Sequence, residues 1–261
     1  MSISFSERNR RHWLSQSKKF GMSPEASWGD KHMIALEIET IGKHLKSGKR
    51  VLDAGCGNGY SGFLQLKKRH LAHLAGVDIC PELVTFAKTA QKKNRADKRS
   101  SFQTGDIRSL PFESSSFDAV YTTRVLINLP DWAEQKKAIS ECLRVTKRGG
   151  VVIFSEAFME PYRLLNRLRK LKALPPLSIH DFNRYLEKRR METLLRSLKL
   201  KFHVEDFSSI YYLGTRFLRE LVTDARAYPG YSNPVNKIFY ELEKKISGGG
   251  FGIQQLFVVR V

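Results

Sequence analysis

The stretch Val51-Leu52-Asp53-Ala54-Gly55-Cys56-Gly57-Asn58-Gly59-Tyr60-Ser61-Gly62 constrains the fold more than any other part of the chain. An apolar run followed at once by alternating glycines, then by a helix-compatible segment, predicts a buried parallel strand that turns tightly into a helix. Glycines at 55, 57 and 59 permit positive φ and put no Cβ in the way of a ligand approaching the backbone. The first amides of the following helix then lie open to an anionic group. A turn of this kind predicts a binding site.

Two ligand classes use such a turn. Read from Gly57, Gly57-x-Gly59-x-x-Gly62 with Asp78 about 20 residues further on satisfies the dinucleotide fingerprint, which points to a nicotinamide-dependent oxidoreductase. Read from Asp53, the pattern is Asp-x-Gly-x-Gly-x-Gly. Four later segments separate the two. Gly76-Val77-Asp78-Ile79 ends a second apolar run on a carboxylate suited to two ribose hydroxyls. Ser101 to Phe112 reads as a strand, then Gly105-Asp106-Ile107, then Leu110-Pro111-Phe112. Ser116 to Leu129 reads as a fourth strand with a polar carboxyl end, and Glu141 to Ile153 as a helix, a Gly149-Gly150 turn and a fifth strand.

Taken in this order and spacing, the five segments, roughly residues 50 to 156, resemble the class I S-adenosylmethionine-dependent methyltransferases. Thr146 and Arg148 stand where that family usually has Leu and Pro. The resemblance implies S-adenosyl-L-methionine as cofactor, held by Asp53, Gly55, Gly57, Gly59, Asp78, Ile79, Asp106, Ile107 and Thr123. In the family the Asp106 side chain would meet the adenine amino group and the next backbone amide a ring nitrogen.

Alternating strands and helices imply right-handed crossovers and a mostly parallel sheet covered on both faces. Strands are expected at 50–54, 73–78, 101–105, 117–122, 150–156, 201–207 and 255–261, with helices from about 60, from Pro81 and from 132. The expected fold class is therefore α/β: a doubly wound, seven-stranded, mostly parallel sheet. By resemblance the last strand runs antiparallel between strands 5 and 6, and helical insertions follow strands 5 and 6. The reading is of one domain over 1–261, with a core of about 45–156, 200–207 and 254–261. An N-terminal helical segment covers 1–45, and cover insertions span about 159–199 and 208–250. Tyr228-Pro229-Gly230-Tyr231 reads as a turn and Ser247 to Gly250 as a glycine hairpin or linker.

The 45 Lys and Arg against 26 Asp and Glu give a formal charge of +19, which points to a polyanionic partner: nucleic acid, an anionic membrane surface or an anionic small molecule. Most of these residues lie on amphipathic helices, where a solvated face explains them as well. No apolar run reaches the roughly 18 residues of a membrane span, and Met1 to Arg8 has no signal-peptide core, so the expectation is a cytoplasmic protein with at most peripheral membrane contact. Cys56, Cys80 and Cys142 lack metal-ligand spacing, and no metal is expected.

Transfer of a sulfonium methyl chiefly demands that the acceptor be positioned and stripped of water. A general base is needed only for a hydroxyl or a protonated amine. His180 and then Glu156 are the candidates, with Arg124 a candidate anion-binding group; the alternative roles of Glu156 are a helix cap or an ion pair with Arg124. Trp28 would lie across the cofactor mouth or staple the domain edge, and His32 reads as a surface helix residue. The Asn/Asp-Pro-Pro-aromatic segment and the Pro-Cys pair of base-methylating enzymes are missing. The acceptor is thus expected to be a small molecule, probed at O or N, a sugar or other anionic or membrane-linked intermediate, with RNA methylation as the alternative. A non-catalytic binding module is a further reading, opposed by the intact Asp53, Asp78 and Asp106.

Overall fold

The computed structural model describes residues 4–222, 231 and 233–261. Seven strands form one sheet: β1 (Arg50–Ala54), β2 (His73–Asp78), β3 (Ser100–Thr104), β4 (Phe117–Thr123), β5 (Thr146–Ala157), β6 (Lys201–Glu205) and β7 (Gln254–Arg260). Their order is β3-β2-β1-β4-β5-β7-β6. β1 to β5 pair in parallel, whereas β7 runs antiparallel to both β5 and β6. Four of the five β1 residues are buried, as a strand covered on both faces requires. The expected doubly wound sheet with an antiparallel last strand is the one observed.

Helices alternate with the strands. α1 (Phe5–Phe20) and α2 (Lys31–Lys43) precede the sheet; α3 (Tyr60–Lys68), α4 (Pro81–Lys93) and α5 (Trp132–Val145) connect its parallel strands. Between β5 and β6 come α6 (Met159–Leu171) and α7 (Lys188–Ser197). Between β6 and β7 come α8 (Ser209–Leu213), a π-helical turn at Gly214–Leu218, α9 (Arg219–Val222) and α10 (Val235–Lys245). The starts are coded locally: Asp30 and Asp131 accept from the amides of Met33 and Glu134, and Pro81 opens α4 where its missing N–H has no partner to lose. The helices expected over the insertions are present. The turn expected at Tyr228-Pro229-Gly230 lies outside the described residues.

Two strand boundaries depart from the sequence reading by more than one residue. β5 begins at Thr146 rather than 150, because Thr146 already pairs with Phe117 before the register shifts and resumes at Ala119↔Val151. Gly149, at φ +76, sits in this irregularity. β6 ends at Glu205, since Asp206 turns to accept from the Gly250 amide at 2.8 Å.

The strand order reverses between β1 and β4, which open a crevice beyond their carboxyl ends, the place where ligands bind in sheets of this kind. Close helix–strand contact beneath it needs Gly62. A Cβ there would lie 2.8 Å from Leu74 Cδ2 and 3.2 Å from Asp53 Oδ2.

Candidate active site

The glycine turn is suspended from β2: the amides of Gly55 and Cys56 both donate to the Val77 carbonyl, at 2.7 and 3.0 Å. Gly55, Gly57 and Gly59 all have positive φ, and no side chain caps α3. A Cβ at Gly55 would meet Val125 at 2.1 Å, whereas a Cβ at Gly57 would meet nothing within 4 Å. Gly55 therefore serves packing, and Gly57 leaves open space at the cavity wall.

That cavity brings together Asp53, Gly55, Gly57, Asp78, Ile79, Asp106, Ile107, Thr123 and Arg124 from four separate segments. Gly59 is the one expected cofactor residue outside its lining; it caps α3 and packs against Phe63. Asp78 is anchored at both oxygens, accepting from Gly57 N at 2.8 Å and Cys80 N at 2.9 Å. Burial raises its carboxyl above the usual range, and the two amide bonds oppose the rise. Asp53 is 2 % exposed, and burial pushes its carboxyl up to about 7, with Asp78 and Glu37 adding to the shift and the buried Tyr121 hydroxyl opposing it. Asp53 and Asp78 together favour a cationic ligand, which would restore the ionised form of both. Ile79 stays 62 % exposed, an apolar wall with no protein neighbour to cover it.

Asp106 differs from the expectation attached to it. Its carboxylate is taken up by Arg108, which donates from its backbone amide at 2.8 Å and from Nε at 3.0 Å, with Nη2 at 2.5 Å; Arg108 in turn reaches Glu134 at 2.6 Å. Burial pulls the Asp106 carboxyl upward, but Arg108 outweighs it and holds the group below its ordinary value. An adenine amino group would have to share this carboxylate with the guanidinium.

Of the three catalytic candidates, Arg124 alone lines the cavity. It holds φ +55 at the end of β4, its guanidinium stacks 4.7 Å from the Trp28 ring, and its Nε lies 3.3 Å from Glu37 Oε2. The pair with Glu156 considered from the sequence is therefore replaced by a pair with Glu37, itself held by Ser155 and Gln254. Glu156 points away from the crevice. It accepts from Thr122 Oγ1 at 2.8 Å and from the amides of Val125, Leu126 and Ile127, so it caps the turn after β4. Burial pushes it up to about 7 against those bonds. His180 is exposed, stacks on Phe182 and is absent from the cavity lining. Trp28 touches the cavity only through Arg124 and donates from Nε1 to Tyr231 Oη at 2.9 Å. His32 packs against Tyr240 at 5.0 Å between ring centroids rather than standing free on the surface.

The N-terminal segment supplies what the sequence reading did not foresee: Asn9, Trp13, Ala26 and Ser27 also line the cavity, so α1 and the following turn cover it. Asn9 Nδ2 donates to the Asn128 carbonyl at 2.6 Å, and Asn58 Nδ2 donates to the carbonyls of Gly21 and Ser23, both at 2.8 Å. The cover is thus latched to the glycine turn. Among the described residues, buried Asn9 Oδ1, Asn128 Oδ1 and Thr123 Oγ1 have no hydrogen-bond partner, a cost that a polar ligand in the cavity would relieve.

Residues 52–154 match the family described as "Methyltransferase domain". This stretch is a class I methyltransferase domain. Its cofactor is S-adenosylmethionine, and the open wall at Gly57, the anchored Asp78 and the three orphaned polar atoms fit that group. The chain is 27 % identical over 147 residues to an O-methyltransferase of Aspergillus nomiae, a match covering 54 % of this chain and 64 % of that relative. It is 35 % identical over 111 residues to a malonyl-[acyl-carrier protein] O-methyltransferase of Erwinia billingiae, covering 42 % and 39 % of the two chains. The chain thus spans well under two thirds of that relative and slightly under two thirds of the other. Among solved structures it superposes on a [4+2]-cyclase with a TM-score of 0.65 at 18 % identity, covering 99 % of this chain and 97 % of that one. That likeness is one of fold. Among the described residues no helix is long and apolar enough to cross a membrane.

Proposed function

We propose that the chain transfers a methyl group from S-adenosylmethionine to a small-molecule acceptor, and that the accepting atom is an oxygen already ionised at neutral pH, such as that of a carboxylate. The observation that carries this reading is the wall at the β4 end of the cavity. Among the described residues it offers Ser27, Thr123, Arg124, Asn128 and Asn9, and no His, Glu or Lys to take a proton, the cavity's carboxylates being the aspartates assigned to the cofactor. S-adenosylmethionine supplies the electrophilic methyl when bound. Asp53 and Asp78 would hold its polar groups, and Ile79 would lie against its ring. α1 excludes water, which strips the acceptor of hydration and strengthens the pull of Arg124 on an anion. An anionic oxygen then needs only to be aimed, and orientation alone supplies a large part of such a rate enhancement. The similarity to a relative named for O-methylation of a malonyl group supports an oxygen acceptor. The charge of +19 favours a second reading, methylation of RNA, which the cover over the cavity opposes.

The test is release of S-adenosylhomocysteine with panels of aliphatic acids, alcohols, amines and RNA. Turnover on acids with a rate flat between about pH 6 and pH 9 is expected, because no base has to be unprotonated. Turnover confined to alcohols or amines with a falling acid limb refutes the ionised-oxygen reading. RNA turnover with steep salt dependence replaces it with the second.

A further inference from the structure

Three strands along the sheet from the methyltransferase cavity, the end of α2 meets the edge strand β6. Three side chains converge there: His44, which follows the last turn of α2, and His203 and Glu205, which stand two apart on β6 and so share one face. His44 Nε2 lies 2.8 Å and His203 Nε2 3.1 Å from the same oxygen, Glu205 Oε1, and one donor atom from each of the three falls within 4.8 Å of the others. His44 is half-buried, and its Nε2 is shielded from solvent yet has no aligned hydrogen bond, since Glu205 Oε1 lies close but off the line of the ring N–H. A shielded ring nitrogen with no aligned hydrogen bond keeps its lone pair available to a metal ion, and the carboxylate beside it offers a second ligand atom. His203 Nε2 does make a hydrogen bond to that oxygen, at 3.1 Å, so the unaligned contact is that of His44 alone.

We propose that His44, His203 and Glu205 bind a divalent cation of the zinc class. Two imidazole nitrogens with one carboxylate oxygen form a donor set that zinc takes, with water filling the remaining position. Magnesium and calcium prefer oxygen ligands throughout and are excluded by the same set. Bond lengths of about 2.0–2.2 Å place tetrahedral donors roughly 3.3 Å apart. The two separations from Glu205 are already close to that, and the exposed ring of His203 is free to turn. The bound cation would clip α2 to an edge strand that is otherwise paired only on its β7 side. α2 begins at Asp30 and carries Glu37, the residue that holds Arg124 at the cavity, so the clip steadies a helix the active site depends on.

The experiment uses the whole chain, stripped with a chelator and titrated calorimetrically with zinc chloride or magnesium chloride, alongside thermal melts and cobalt absorption spectra. One zinc per chain at micromolar concentrations, no magnesium binding, a zinc-dependent rise in Tm and a cobalt spectrum of low coordination number are expected. His203→Ala removes a half-exposed ligand, so its metal-free Tm should match the wild type while zinc affinity falls at least about tenfold. His12 and His180, which interact with one another on the opposite side, form the control pair. Zinc binding that His203→Ala leaves intact, or that His12→Ala with His180→Ala abolishes, overturns the proposal. So does zinc binding that appears only at millimolar concentrations. Retained zinc affinity in His203→Ala but not in Glu205→Gln also overturns the three-ligand site.

Discussion

Gly55 and Gly57 belong to one motif and read alike, yet the structure gives them different work, and a pair of alanine substitutions separates the two. Both have positive φ, +95 and +51, so a Cβ costs each position about 1–2 kcal/mol in backbone conformation. At Gly55 the new methyl would also lie 2.1 Å from Val125 Cγ2 and 3.0 Å from Cγ1, an overpacking worth a further ~1–3 kcal/mol. At Gly57 it would meet nothing within 4 Å. Gly55→Ala should therefore lose roughly 2–5 kcal/mol, and Gly57→Ala roughly 1–2 kcal/mol. For a domain of this size each kcal/mol moves Tm by about 2–4 °C, so Gly55→Ala should melt roughly 4–20 °C below the wild type. Calorimetry with S-adenosylhomocysteine should rank the variants by a different rule: Gly57→Ala, whose methyl enters the cavity, should bind about tenfold or more weakly while staying folded. Thermal melts and titrations on the three proteins decide it. A Gly55→Ala protein melting within about 2 °C of wild type, or equal destabilisation by both substitutions, would refute the division of labour.

Asp78→Ala removes a carboxylate anchored at Gly57 and Cys80, and should weaken S-adenosylhomocysteine binding by about 1.5–3 kcal/mol in calorimetry; unchanged affinity would show that the ribose lies elsewhere. Asp30→Ala strands the Arg216 guanidinium, bound at 2.8 Å, and frees the Tyr211 hydroxyl and the Met33 amide. A loss of about 3–5 kcal/mol in urea unfolding is expected, and a loss under about 1 kcal/mol counts against a stabilising role for the Asp30–Arg216 pair. Burial pushes Asp53, Glu156 and Glu243 each up to about 7, so each holds its proton further up the pH scale when folded than when unfolded. The stability they contribute is full below about pH 4 and is gone once the pH has risen through about 7, so Tm should fall between about pH 4 and pH 7 and level off above that. A profile flat across that window would mean these groups ionise normally in the folded protein.

The elements that position the site were legible because each rests on local chemistry. Glycines that need positive φ, Pro81 at a helix start and short apolar runs ending in Asp53, Asp78 and Thr123 are written in contiguous residues, and local rules read them. The same rules failed where a side chain had two destinations of equal local merit. Glu156 could face the crevice or cap the turn after β4, and four donors that exist only once that turn has formed draw it to the second. Asp106 does line the cavity, as read, but its carboxylate is shared with Arg108, two residues away, a contact the local rules did not give. His180 looked chemical because histidine often is, but its segment packs on α1 instead of opening onto the cavity.

By itself the amino-acid sequence determined a mostly parallel, doubly wound sheet with its glycine turn and crevice, since repeated short-range patterns specify them, and its resemblance to a family supplied the class of cofactor. Tertiary structure alone decided that α1 roofs the cavity, that Glu37 rather than Glu156 answers Arg124, and that His44 meets a histidine and a glutamate from β6. Those pairings join residues far apart along the chain. No spacing rule reaches across such separations, because which distant side chains meet depends on how the packed layers close.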